Sequence, residues 1–317
     1  MLDGISPNPD APVLVIGAAG VDIVGRLRGE LRPKTSTSAQ IRSSFGGVAR
    51  NVAENLARLG QPVNLISVVG DDEDGDRLLQ GLAAAGVNAE RVVRTSQHAT
   101  SSYLAIIDAH GELQFALDDM RAISSLTPDL IRAQAGLFKQ ASILFIDANL
   151  PKDTLRTVMS LARRARLPVC ADPTSVSLAA RLRSYFARIY LMIPNAAEAA
   201  ALCERTAPLS GRRQALEVAK YLVSQGVDIA IITLAEQGLC YATSESSGYI
   251  PAIKTAILDP TGAGDALSAA VIFAILNDIP LDDAVRLGVS AASLTLRYRG
   301  AVVPDLSLEK LYDQLVI

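Results

Sequence analysis

The run Asp259-Pro260-Thr261-Gly262-Ala263-Gly264-Asp265 is where the residue types of this chain most plainly call for chemistry. Small residues at 262–264 let backbone N–H groups gather around an anion. The apolar, helix-compatible run Ala266 to Leu276 that follows adds the positive end of a helix dipole. Together they describe a phosphate cradle. A carboxylate at Asp265 would repel a phosphate held there, so its position calls for a second task, and general base for an attacking hydroxyl is the obvious one. Taken without chemistry, the same residues are a glycine-rich loop and an aspartate capping a helix.

Three other sets could serve the same reaction. Gly46-Gly47 opens a helix whose inward face is Val48, Val52, Leu56 and Leu59, with Gly60 as its stop. Paired glycines admit a ligand close to the backbone, and the Asn51 amide one turn into the helix can reach that ligand. Asp22 follows Gly17-Ala18-Ala19-Gly20 at the end of a strand, where open α/β sheets bind ligands. It is placed to accept hydrogen bonds from two neighbouring hydroxyls of a sugar, or to serve as a turn residue. In Pro194-Asn195-Ala196-Ala197-Glu198, positions i and i+3 share one face of a first helical turn. Asn195 and Glu198 would then point together at Mg²⁺ or its waters, or form an ordinary helix start.

These residues need a scaffold, and short β-branched runs alternating with helical patterns supply it. Val13–Gly17, Val63–Val69, Ile143–Ile146, Pro168–Ala171, Tyr190–Ile193 and Ile229–Leu234 read as buried strands. Repeated βα units imply a mostly parallel sheet with helices on both faces. Segments of about 23–43 and 101–118 break the rhythm. They are strand-like without helices, the second with a hairpin turn at Ala109-His110-Gly111, and are expected to form a small β-sheet lid on one α/β domain spanning 1–317.

Composition narrows the class. A chain of 317 residues, 50% of them apolar, can bury a large core, and a net charge of -3 without a basic stripe argues against nucleic acid. Arg163-Arg164-Ala165-Arg166 reads as the solvated end of a helix. Cys170, Cys203 and Cys240 lack metal-like spacing and point to a reducing cytoplasm. No apolar run reaches membrane-spanning length, and Met1 to Pro12 lacks the features of a signal peptide. Gly70 to Asp76 does not align as an EF-hand, since Gly70 and Gly81 would occupy ligand positions, and reads instead as an acidic helix start. Two histidines leave a His-based nucleophile triad improbable, and the absence of GxxxxGK[ST] excludes a P-loop.

In this order and spacing, Asp22, Gly46-Gly47 with Asn51, Asn195 with Glu198, and Asp259 to Asp265 resemble the PfkB, or ribokinase-like, carbohydrate kinases across essentially the whole chain. The resemblance implies a ribokinase-like, Rossmann-type fold and transfer of a phosphoryl group from ATP, with Mg²⁺, to a ribosyl 5′-hydroxyl. Asp265 matches the family's catalytic base and Gly262, Ala263 and Gly264 its anion hole. Asp22, Gly46, Gly47 and Asn51 fall where the family holds the sugar, and Asn195 and Glu198 match its NxxE motif. Thr233 and Gly238 fall in a strand-end motif near the nucleotide, where Ala235 replaces a frequent glycine. Asp259 and Thr261 match positions near a monovalent cation such as K⁺.

Within the family, Gly46 to Asn51, Thr100 to Leu104, Asp119-Met120 and Pro304 to Ser307 are similar to bacterial pseudouridine kinases. That likeness implies pseudouridine as acceptor, with Thr100 and Asp119 facing the base and the Asp119 carboxylate accepting from its extra ring N–H. Another nucleoside or sugar kinase, acting on ribose, adenosine or a 2-keto sugar, shares the apparatus. A sensor without turnover does not need Asp265. The alternating apolar positions Leu104, Ile106, Phe115 and Leu117 on so small a sheet call for a cover, and relatives often pair through their lids, so a homodimer is expected.

Overall fold

The structure, a computed structural model, describes residues 8–32, 34–110 and 112–315. Among the described residues, fourteen strands run in chain order as β1 (Val13–Ile16), β2 (Gly20–Leu27), β3 (Ala39–Gly46), β4 (Val63–Ile66), β5 (Val68–Gly70), β6 (Val93–Thr95), β7 (Ser101–Ile107), β8 (Leu113–Asp119), β9 (Ile143–Asp147), β10 (Val169–Asp172), β11 (Leu191–Met192), β12 (Ile229–Thr233), β13 (Leu239–Ala242) and β14 (Ser247–Ile250).

Eight of them form one sheet in the order β14-β13-β12-β11-β10-β9-β1-β4. It is parallel from β4 to β12, and β13 and β14 extend it antiparallel. Continuous apolar runs such as Val13 to Ile16 and Ile143 to Ile146 form its middle because both of its faces are covered. Val13 and Val15 face one core with the helices Val48–Arg58, Ala263–Leu276 and Leu281–Leu296. Leu14 and Ile16 face a second core with Lys152–Ala165 and Arg212–Ser224. The expected strand Val63–Val69 is split at Ser67, whose hydroxyl donates to the Gly17 carbonyl at 2.6 Å.

The expected lid is a separate sheet of order β3-β2-β7-β8. Side chains alternate between its faces, and register aligns Ser44, Asp22, Tyr103 and Asp118 as one row across the four strands. The neighbouring row, Ser43, Ile23, Leu104 and Leu117, belongs to the other face. Gly111 of the expected hairpin turn lies outside the described residues, as does most of the expected N-terminal tail; Asp108 caps the rest of that turn by accepting from the His110 and Glu112 amides. The acidic helix start is the helix Glu73–Ala84, capped by Asp72. The basic run ends the helix Lys152–Ala165, and Arg166 closes it in the left-handed region at φ 55. No described helix is long and apolar enough to cross a membrane.

Candidate active site

The helix Ala263–Leu276 begins at Gly262, whose φ of 78 lies in the left-handed region. A β-carbon there would collide with the backbone of Ala301, so only glycine fits. The first N–H groups of a helix have no partner within it, and Asp265 lies half-buried in this first turn. Ahead of it, Asp259 accepts from the Thr261 amide at 2.9 Å. On the facing helix Val48–Arg58, the Asn51 amide nitrogen donates to Asp265 at 2.7 Å. Two distant motifs of the sequence thus meet through one hydrogen bond.

Between them lies a cleft of about 390 Å³. One wall is the lid, through Gly20, Asp22, Ser101, Tyr103 and Asp118; Gly47 and Asn51 form its corner, and Thr261 and Asp265 its floor. Asn149, Thr174 and Ser175 close the far side. At Gly46, beside this corner, a side chain would strike the Asp22 carboxylate, so the first of the paired glycines makes room for the acid.

The charges in the cleft are far from their ordinary states. Burial lifts the Asp265 pKa to about 7; the Asn51 hydrogen bond lowers it, and the Asp22 and Asp147 charges raise it further. Asp22 is lifted to about 6, first by burial, with Arg50 opposing and Asp259 adding to the rise. Burial, with Asp22 and Asp118, also raises the Tyr103 hydroxyl. Asp147, fully buried at the end of β9, accepts from the amides of Ala18, Ala49 and Asn149 at 2.8, 3.1 and 3.0 Å. It binds the end of β1 to the start of the Asn51 helix. Asp172, at the end of β10, is held well above the usual carboxylate range by burial and by the charges of Glu198 and Asp265.

Asn195 and Glu198 form a reciprocal capping box: Asn195 Oδ1 accepts from the Ala197 and Glu198 amides, and Glu198 Oε2 accepts from the Asn195 amide at 2.9 Å. The plain helix start is therefore present. The second Glu198 oxygen and the neighbouring Asp172 carboxylate remain as hard oxygen donors, the kind Mg²⁺ takes directly or through water. Among the described residues, no group of three or more His, Cys, Asp or Glu stands ready as a metal cage. Thr233, at the end of β12, bridges to Asn195, and Gly238 follows a short turn later. Both lie outside the cleft. Ala235 between them takes φ 50, a left-handed conformation that glycine adopts freely.

Two expected base contacts are placed elsewhere. Thr100 is turned into the body of the protein, its hydroxyl donating to Asp72 at 2.6 Å and accepting from the Gly70 amide, and it does not line the cleft. Asp119 lies on the lid face opposite Asp118, as strand alternation dictates. It pairs with Arg121 at 2.6 and 2.8 Å, which holds its carboxyl down at about 2. Asp118 is the acid beside the cleft. Asn149, Thr174 and Asp172 escaped the sequence reading, although Asp147 and Asp172 each follow a strand's carboxyl end, the same signal that singled out Asp22. Thr174 also takes φ 65, a strained conformation for a β-branched residue, and its hydroxyl accepts from the Ala148 amide at 3.1 Å.

A mostly parallel sheet with helices on both faces and a separate four-stranded sheet beside a glycine-initiated helix start define a ribokinase-like fold. The structure of Arabidopsis thaliana ribokinase complexed with ribose and ATP superposes with a TM-score of 0.85 at 20% identity, covering 97% of this chain and 99% of that one. The family model described as pfkB family carbohydrate kinase matches residues 10–307, and the chain belongs to that family. Pseudouridine kinase of Escherichia coli K12 is 31% identical over 297 residues, 93% of this chain and 94% of that protein. Guanosine-inosine kinase of Exiguobacterium acetylicum is 28% identical over 297 residues, 93% of this chain and 97% of that protein.

Proposed function

We propose that this kinase transfers the γ-phosphoryl group of ATP to the 5′-hydroxyl of pseudouridine. The observation that carries the reading is Asp265 at the helix start, hydrogen-bonded by Asn51 and facing a cleft walled by Asp22, Tyr103 and Asp118. Asp22 and Asn51 hold the ribose hydroxyls. Asp265 takes the proton of the acceptor hydroxyl as its oxygen attacks phosphorus, and the amides of 262–264 face the charge that develops. With a pKa near 7, Asp265 changes charge state close to neutrality, which suits a base that must both take and release a proton. Glu198 and Asp172 are the residues that would hold Mg²⁺, which when bound supplies neutralisation of phosphate charge.

The lid row supports this choice of acceptor. Asp118 accepts from a donor on the base edge, and pseudouridine carries a ring N–H at N1 that uridine lacks. A carboxylate at the cleft mouth is worth about 1 kcal/mol there, roughly fivefold in kcat/KM. Steady-state comparison of pseudouridine, uridine and ribose tests this, with Asp118→Ala expected to erode the preference and Asp119→Ala to preserve it. Equal or better turnover of uridine or ribose overturns the assignment. Tyr103, 38% exposed on the same row, can stack on a purine as well, so guanosine belongs in the comparison.

The opposite lid face carries Ile41, Phe115 and Leu117 at 71, 57 and 66% exposure. We propose that a second copy of this chain covers it, giving a homodimer.

A further inference from the structure

The helix Val48–Arg58 buries a charged pair that the reaction as described does not use. Arg50 is 6% exposed and Glu54 5%, and they form an ion pair one turn apart. Buried pairs of this kind are often less stabilising than apolar residues of the same volume. The Arg50 Nε is buried without a partner, a further cost. What the guanidinium does with its remaining donors is specific. Its Nη1 donates to the Phe45 carbonyl at 3.1 Å and to Asn51 Oδ1 at 2.9 Å. Glu54 in turn accepts from Arg58 Nε at 2.9 Å, and Arg58 also donates to the Pro304 carbonyl, so the assembly is anchored in the C-terminal segment.

A guanidinium can only donate, so the atom of the Asn51 amide that meets it must be the oxygen. That leaves the amide nitrogen for Asp265, at 2.7 Å. Reversing the amide would set its N–H₂ against a cation and its oxygen against a carboxylate. One Asp265 oxygen is thereby occupied, and the other is left for an incoming hydroxyl. We propose that Arg50 is a positioning residue for phosphoryl transfer, fixing the Asn51 amide so that it orients the Asp265 carboxylate toward the acceptor hydroxyl. The proposal rests on Asp265 as the base.

The charges facing Asp265 come from four elements: Asp22 on β2, Asp147 and Asp172 at the ends of β9 and β10, and Arg50 on the helix. Three are acids, and Arg50 is the cation that opposes them, favouring the ionised base. Its loss therefore moves the acid limb of the kcat/KM profile toward higher pH. The experiment is that profile from pH 5.5 to 9 for wild type, Arg50→Met and Arg50→Lys, with melting temperatures measured alongside. In Arg50→Met the limb is expected to rise by about one pH unit and kcat at pH 7 to fall about tenfold, while the KM for ATP changes little. Arg50→Lys, which keeps a charged donor, recovers most of both. A packing role alone would lower the melting temperature and leave the limb in place.

Arg50→Gln retains an N–H donor without the charge and carries the same limb shift should the methionine variant not fold. An unmoved limb in both variants overturns the proposal. Asp265→Asn separates the two readings. Retained turnover there removes the base and this proposal with it. Lost turnover there, beside an unmoved limb at Arg50, overturns the positioning role alone.

Discussion

Replacing Asp265 by asparagine should cost activity and add stability, the second effect appearing only at high pH. The folded chain holds this carboxyl at about 7 against an ordinary 3.8, so folding favours its protonated form. Relative to a non-titrating asparagine, wild type is unpenalised below pH 4, increasingly destabilised as pH rises from about 4 to 7, and destabilised by a constant amount above that. Roughly three pH units at about 1.4 kcal/mol each set an upper bound of ~4 kcal/mol. Water in the open, ligand-free cleft screens the charge and about halves it, to ~2 kcal/mol. With an unfolding entropy of about 2.1 cal/mol/K per residue over 317 residues, that is ~3 °C in melting temperature. Calorimetric scans of both proteins without ligand at pH 4.5 and pH 8 measure it, the gap in favour of Asp265→Asn opening with pH. Turnover at pH 8 should fall by about 10²–10⁴. A gap of equal size at both pH values would refute the buried-charge reasoning, and near wild-type turnover would refute the base.

Ala235→Gly relieves a left-handed alanine and should raise stability by about 0.5–1 kcal/mol in urea unfolding, a loss showing that the loop is unstrained. Glu198→Gln keeps an oxygen for the capping box and should change stability by less than about 1 kcal/mol while raising the Mg²⁺ concentration for half-maximal rate; an unchanged titration would assign Glu198 to the helix cap alone. Leu117→Asp places a charge on the exposed lid face and should give monomers by light scattering at tens of micromolar, where wild type scatters as a dimer. Wild type scattering as a monomer would reject the assembly.

The helix start at Gly262 was legible because its signals are local. Gly262 must be glycine for its own φ, and Ala266 to Leu276 declare their helix by composition. Whereas β6, β13 and β14 were not expected, the parallel strands of the large sheet were legible for the same reason, to within a residue or two except for the break at Ser67. The contacts between segments were not. Asp118 and Asp119 are adjacent acids, and only the pairing of Asp118 with Tyr103 decides which one faces the cleft; a one-residue slip would exchange them. Thr100 looks like a ligand contact until the fold brings Asp72 to it from 28 residues away. Arg50 reads as an ordinary helical arginine with an acid one turn on, because nothing local reveals that the pair will be buried and that the Phe45 carbonyl and Asn51 Oδ1 will take its remaining donors.

The lid is a single layer, with a wall of the cleft on one surface and the exposed apolar side chains Ile41, Phe115 and Leu117 on the other. Any change in strand twist that tightens the first is felt by the second, because the same backbones carry both. If pairing of two chains and filling of the cleft both favour one twist, each must strengthen the other by an identical factor. The concentration of the protein itself would then set how tightly a dilute acceptor is held, and assays run at nanomolar and micromolar enzyme would report different affinities.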